Sequence, residues 1–453
     1  MPFPQPPFCL DSETADGILI AYVRRTVEFA YLDDEAKALI DGLGDQDLRY
    51  QALALKQLWP LVLTDALRKL KEHDSREWDR ESRIDFRSFF HSKSLGVSQL
   101  EDVFTKFASF EGLLYGASPE TYRDHIAHAF RVWVLGHGLL RETLSSRLSA
   151  DEEFNSQIAD LEWECMWAIA ALCHDIGYPL TAIEMINRRT RDTLGGLGLV
   201  PTGDLRFGFT QQALPFYDTI VKLMASRPAS DRHADGVVRF QTHLQNKYYL
   251  KLLKSFDRLQ HGIVSALLVS KALVYFLESD LSQDPFGALS HEDARQFLLR
   301  REILRAMAFH TCPDIYHLQF DTLSFLLYVV DELQCWGRPT FQELQLLPAD
   351  SGQAEVFVLK FGAKELDLVI RTSEEKWEKD RAERAKNQLD RLNCMLRLAV
   401  DTKRLQPLIL RLALVPRQGP GQQLLLKDGR LQVSSEVTAR DIGEDTLEQA
   451  KAS

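Results

Sequence analysis

Trp163-Glu-Cys-Met-Trp-Ala-Ile-Ala-Ala-Leu-Cys-His174-Asp175-Ile-Gly177 is the stretch that decides how this chain folds. Ahead of the His-Asp pair, Trp163, Met166, Trp167, Ala170 and Ala171 recur at three- and four-residue steps, the pattern of a helix buried in a core. That helix reads from about Asp151 to Asp175 and is stopped by Gly177 and Pro179. A carboxylate at the end of such a helix is costly unless it is paired or metal-bound. Adjacent imidazole and carboxylate groups at a helix terminus can reach one metal centre together. Nitrogen and oxygen ligands without thiolate suit one or two divalent ions from Mn, Fe, Ni, Mg and Zn.

Further candidate ligands lie on other helices in both directions. Upstream, His125 and His128 share one helical face, because each residue turns about 100°. His137, nine residues beyond His128, falls on the opposite side, so the two cannot readily serve one site. Val132 and Leu135 share the face of His128 and carry it inward. Downstream, His261 opens the apolar helix His-Gly-Ile-Val-Ser-Ala, and His310 ends Ala-Met-Ala-Phe-His. Asp331 follows the buried text Phe325-Leu-Leu-Tyr-Val-Val and needs a cation. The candidate metal ligands are therefore His128, His174, Asp175, His261, His310 and Asp331.

The rest of the chain bounds what this centre serves. A length of 453 residues allows two to four domains, and 45% apolar with 26% charged residues is ordinary for a globular protein. A net charge of -11 argues against nonspecific nucleic-acid binding, so a nucleic-acid partner is not favoured. The six cysteines form no C-x-x-C pair and read as reduced thiols. The first residues, with Pro2, Pro4, Pro6 and Pro7, form an extended arm without a secretory signal pattern. No segment has the length and purity of a membrane span, so the expectation is a cytoplasmic protein without a membrane partner. A homo-oligomer is compatible with the sequence.

Helical periodicity dominates from about Thr14 to Leu333, with a break or kink at Trp59-Pro60 and a capped helix start at Ser118-Pro119-Glu120. Gly195 to Gly208 reads as a loop near the site. Beyond Gly337-Arg338-Pro339 the character changes. Val356 to Phe361 and Leu366 to Arg371 read as strands, Ser373 to Leu398 as a charged helix and Pro407 to Val415 as a strand. Gln422 to Lys427 and Arg430 to Ser434 flank the hairpin turn Asp428-Gly429. The fold class is mainly α: a helical region over 1–115, a metal-binding helical domain over 116–340, a small β-β-α-β-β module over 350–436 and a polar tail over 437–453.

The pieces His128-Ala-Phe-Arg-Val132, Leu172-Cys-His-Asp-Ile-Gly177, His261-Gly with Ser265-Ala, and Val330-Asp331-Glu-Leu resemble the HD superfamily of metal-dependent phosphohydrolases. The resemblance covers roughly Tyr122 to Arg338 and implies an HD-type helical bundle around a metal site. It implies one metal on His128, His174, Asp175 and Asp331, with Asp175 bridging to a second metal on His261 and His310. Tyr122 to Val132 also echoes the histidine-rich helix of cyclic-nucleotide phosphodiesterases, in which a histidine protonates the leaving oxygen. His125 stands one position away from that pattern. Tyr178 stands where many members carry lysine. Gly177-Tyr178-Pro179 is not the HD-GYP signature, and the arginine-histidine motifs of deoxynucleoside-triphosphate triphosphohydrolases are absent, so the resemblance stops at the superfamily.

The function expected is hydrolysis of a small-molecule phosphoester, a nucleotide or cyclic nucleotide, through a metal-activated water. Asp175 and His125 are the candidate catalytic residues. Arg131, Tyr178, Arg188, Arg189, Arg191 and Lys254 are the candidates for holding substrate. Asn187-Arg-Arg-Thr-Arg191 also reads as a solvated basic helix face. Two alternatives use the same residues: a di-iron oxygenase with an HD-type fold, and a non-catalytic sensor or scaffold.

Overall fold

The computed structural model describes residues 6–11, 15–25, 29, 31–43, 48–78, 95–115, 125–144, 158–199, 203, 209–232, 238–277, 289, 291–315, 322–334, 336, 354–361, 365–372, 386–387, 390, 409–427 and 430–452. In chain order the helices begin with α1 (Ala15–Arg25), α2 (Asp34–Gly42), α3 (Leu48–Trp78), α4 (Val97–Tyr115) and α5 (His125–Leu144). They continue with α6 (Asp160–Cys173), α7 (Tyr178–Gly196), α8 (Leu214–Ala225), α9 (Asn246–Asp257) and α10 (His261–Ala272). The last are α11 (Val274–Leu277), α12 (His291–Phe309), α13 (Leu323–Leu333), α14 (Ala439–Ile442) and α15 (Glu444–Ala452). The strands are β1 (Phe8–Leu10), β2 (Ser226–Arg232), β3 (Val238–Leu244), β4 (Glu355–Phe361), β5 (Glu365–Thr372), β6 (Ile409–Pro416), β7 (Gly421–Lys427) and β8 (Arg430–Val437).

Helix α6 is the axis of the helical body. Every residue from Glu162 to Cys173 is buried, so it is a helix without a solvent face, enclosed by α3, α5, α12 and α13. One of its indoles is tied to a neighbouring backbone: Trp167 Nε1 donates to the Trp133 carbonyl at 2.8 Å. Gly136 on α5 leaves room for that ring, since a Cβ there would lie 1.9 Å from the indole. Trp59 Nε1 donates to the Leu172 carbonyl at 2.9 Å, two residues before His174. The break expected at Trp59-Pro60 does not occur, because α3 runs through Pro60 while packing along α6. The Ser118-Pro119-Glu120 start lies outside the described residues.

The run of helices downstream is interrupted by an antiparallel hairpin, β2 with β3, that sequence reading passed over. Its signal was present in the alternating Val238, Phe240, Thr242 and Leu244, but Ser226 to Arg232 is polar and contains Pro228. Arg305 holds the hairpin down, its guanidinium donating to the carbonyls of Met224 and Ser226.

A six-stranded sheet in the order β1-β4-β5-β6-β7-β8 completes the fold. Strands β5 and β6 are parallel and the other neighbours antiparallel. The parallel pair requires a crossover, and Lys386, Asn387 and Asp390, its described residues, are helical. Leu366, Leu368 and Ile370 on β5 lie in register with Leu410, Leu412 and Leu414 on β6, and this apolar face meets Phe325, Tyr328, Val329 and Leu333 of α13. The opposite face, with Phe357, Val369, Ala413 and Val415, is covered by Leu447 and Ala450 of α15. Burial on both faces accounts for strands that read as near-continuous apolar runs.

Residues 350–436 alone do not make this sheet. The N-terminal arm supplies β1, with Phe8 opposite Val358 and Leu10 opposite Val356. The last residues, read as a polar tail, fold into α14 and α15: Thr438 and Asp441 form a capping box, and Ile442, Leu447 and Ala450 are buried. Among the described residues no helix is long and apolar enough to cross a membrane. Leu10 is fully buried. Leu10→Ala should cost about 2–4 kcal/mol of unfolding free energy in urea denaturation, the penalty for deleting a core leucine. A surface-like cost under about 0.5 kcal/mol would mean that the N-terminal strand is dispensable.

Candidate metal centre

Helix ends bring the ligand candidates together. His174 caps α6 and Asp175 follows it; His261 is the first residue of α10, and His310 directly follows α12. His128 lies in the first turns of α5, and Asp331 near the end of α13. Two glycines permit the approach. A Cβ on Gly262 would lie 2.4 Å from the Met307 carbonyl oxygen and 2.6 Å from Thr311 Oγ1, so only glycine lets α10 press against the end of α12. A Cβ on Gly177 would lie 2.5 Å from the His261 carbonyl oxygen. Ser265 fastens this second contact, accepting from Gly177 N at 2.8 Å and donating to the His261 carbonyl at 2.8 Å.

Asp175 stands between two pairs of histidines. Its Oδ2 is 3.5 Å from His174 Nε2 and 3.7 Å from His128 Nε2. Its Oδ1 is 3.3 Å from His261 Nε2 and 3.6 Å from His310 Nε2. Asp331 Oδ1 closes the first half at 3.1 Å from His128 Nε2 and 3.8 Å from His174 Nε2. Within each half the imidazoles face each other through Nε2, 3.1 Å apart for His128 and His174 and 3.2 Å for His261 and His310. His128, His174, Asp175 and His310 are buried. His261 and Asp331 keep 22% and 17% of their side-chain surface exposed, so the centre opens on their side.

The donor chemistry fits a cation. His174 Nδ1 donates to the Ala171 carbonyl at 2.8 Å, His310 Nδ1 to the Met307 carbonyl, and His128 Nδ1 to Gln334 Oε1. A neutral imidazole with its proton on Nδ1 presents a lone pair at Nε2. Burial pushes His310 down to about 4, which disfavours the imidazolium form that could otherwise bridge the facing nitrogens. The facing lone pairs of His128 and His174 and the carboxylate of Asp331 repel one another without a positive charge between them. Ligands about 2.1 Å from one centre stand roughly 3.0–3.4 Å apart at octahedral and tetrahedral angles, close to the separations of the two histidine pairs. His128, His174 and Asp331 form one group able to hold an ion, and His174, Asp175 and His310 another.

Two other candidates join the centre. His125 is buried, with Nδ1 3.4 Å from Asp175 Oδ2. Its ring lies 4.5 Å from that of Tyr178, which also meets His261 at 5.3 Å. The cationic candidates have ion-pair partners or face solvent. Arg131 grips Asp16 of α1 through Nε at 2.8 Å and Nη2 at 2.6 Å. Lys254 pairs with Asp314 at 2.8 Å. Arg188 and Arg191 are exposed on α7, with Arg188 roughly 15 Å along the helix from Tyr178; the side chain of Arg189 lies outside the described set. His137 belongs to a different cluster, with Nδ1 3.0 Å from the Tyr22 hydroxyl and its ring 4.2 Å from that of Phe29.

Sequence reading missed Gln334, whose signal is a polar side chain one turn after Asp331 on the same helix face. It also missed Asp16 and Trp336, which no local pattern links to His128. Compared with known proteins, the chain matches no protein-family model, no curated protein and no solved structure.

Gly262→Ala should weaken divalent-metal binding in calorimetric titration and lower stability by about 1–3 kcal/mol, since the added methyl must push α10 away from α12; unaltered binding would sink the close-approach argument. His310 sets a pH dependence for the metal-free protein. The unfolded chain takes up the proton near 6.5 and the folded one near 4, so stability present above pH 6.5 is lost as pH falls through that window. His310's share of that loss should be roughly 3 kcal/mol, read as the difference between wild type and His310→Gln in how the urea unfolding free energy changes from pH 7 to pH 4. Asp65, raised to about 7 by burial, shifts the total the other way in both proteins.

Proposed function

We propose that the chain is a metal-dependent phosphohydrolase acting on a nucleotide or cyclic-nucleotide phosphoester. The observation that carries the reading is the placement of Asp175, one carboxylate oxygen toward each histidine pair. His128, His174, Asp175 and Asp331 would hold one divalent ion, and Asp175, His261 and His310 a second. The order of these residues, which resembles the HD superfamily, supports the same class. Ions bound there lower the pKa of water and neutralise charge developing on phosphate oxygens.

The chain's own groups do the rest. Asp175 and Asp331 fix the negative side of the centre, and the exposed edges of His261 and Asp331 leave the approach for a phosphate. His125, buried beside Asp175, is positioned to deliver a proton to the leaving oxygen. Tyr178, with its ring between His125 and His261, offers an aromatic surface for a base or sugar. With Arg131 and Lys254 engaged in ion pairs, phosphate charge is met chiefly by the bound cations.

The test is hydrolysis of bis-p-nitrophenyl phosphate by metal-stripped protein, restored in turn with Mn, Ni, Fe, Mg and Zn, beside Asp175→Ala. Metal-restored turnover absent from the variant supports the reading and justifies a nucleotide screen. His125→Ala should lower kcat by roughly 10²–10⁴-fold while retaining metal affinity. Turnover appearing only with iron and dioxygen would replace hydrolysis by oxygenase chemistry. Bound metal without turnover of any phosphoester would leave a sensor or scaffold.

A further inference from the structure

Gln334 ends α13 and its side chain is fully buried. Its amide nitrogen donates to the Trp336 main-chain carbonyl at 2.8 Å, and its amide oxygen accepts from His128 Nδ1. A main-chain carbonyl can only accept, so it fixes which end of the amide is nitrogen. The oxygen must then face His128, the proton must lie on Nδ1, and Nε2 keeps its lone pair. That Nε2 is 3.1 Å from His174 Nε2 and 3.1 Å from Asp331 Oδ1.

His128 needs this outside partner more than the other ligands do. His174 and His310 close off the ends of their helices and take the carbonyls of Ala171 and Met307, three residues back. His128 lies within α5, where carbonyls accept main-chain N–H groups four residues on. The chain beyond Gln334 is also anchored. Trp336 Nε1 donates to Asp16 Oδ1 at 3.2 Å, and Asp16 is held by the guanidinium of Arg131, three residues after His128 on the same helix. The path therefore starts and finishes on α5, one turn apart.

We infer that Gln334 is the positioning residue of the first ion site, setting the tautomer and aim of His128 without touching substrate. The inference rests on the metal-centre reading above and assigns Arg131 to this anchor rather than to phosphate. Mn²⁺ titration of metal-stripped protein tests it. Wild type should take up two ions. Gln334→Met, similar in volume but without the acceptor, should bind one of them 10–100-fold more weakly and the other unchanged. Gln334→Glu, which keeps an oxygen toward Nδ1, should recover most of that loss, a pattern that a purely structural role would not produce. A folded Gln334→Met with wild-type affinity at both sites would overturn the inference. Ring ¹⁵N spectra of metal-free wild type, with His128 identified by its loss in His128→Gln, need no Gln334 variant to fold: a proton on Nδ1 is expected, and one on Nε2 overturns the proposal. Should wild type bind no ion, the metal-centre reading fails and the ion-site role of Gln334 with it, while the ring spectra still decide whether Gln334 sets the His128 tautomer.

Discussion

Asp175 is a carboxylate nearly sealed from water, and five imidazoles, those of His125, His128, His174, His261 and His310, bring ring nitrogens near its two oxygens. Removing such a charge from water is costly, and neutral imidazoles offer only partial compensation. The rest of the helical body is arranged around that constraint. Helix α6 is buried on every side so that its last turn can deliver the group to the centre. The glycines at 177 and 262 bring α7 and α10 close enough to supply the second histidine pair. A cation among these groups would offset the charge of the two carboxylates and the facing lone pairs of His128 and His174.

How the imidazoles are oriented says as much as where they are. Two rings take their acceptors from their own helix ends, a local solution that follows from placing histidine directly after the last helical turn. The third borrows an acceptor from a helix two hundred residues away in sequence, and that acceptor is itself held by the backbone. The local solutions need only correct helix termination. The distant one makes the geometry of the centre depend on how α13 and the N-terminal helix dock.

This difference explains what could be read in advance. The buried stripe before His174, the apolar helix opening at His261 and the carboxylate emerging from Phe325 to Val330 are local patterns, and each places a ligand candidate at a helix terminus or on an inward face. The spacing of His128 and His137 separates a candidate ligand from a core histidine through helical rotation alone. Arg131 shows the limit. Its charge suggested phosphate, but its partner Asp16 is 115 residues away and nothing local marks the pair. The C-terminal helices were obscure because few apolar residues, among them Ile442, Leu447 and Ala450, are buried there, and the ion pairs of Glu448 and Lys451 with Arg371 and Glu355 of the sheet carry no local signal. The β2–β3 hairpin was half visible, with one alternating strand and one polar strand.

The sheet has a consequence for the order in which this chain is assembled. Strand β1 pairs Phe8 with Val358, so the N-terminal arm cannot reach its place until some 350 further residues exist. The cost of closing so long a loop grows slowly with its length, but the contact itself must wait. During synthesis the helices that carry the histidines can form and gather while the edge of β4 is still unmade. Pairing of β1 then falls among the last events, whereas α1, whose Asp16 is held by Arg131 of α5, meets that partner much earlier. Strand β1 therefore completes the sheet only after the last of the candidate ligands, Asp331, has emerged.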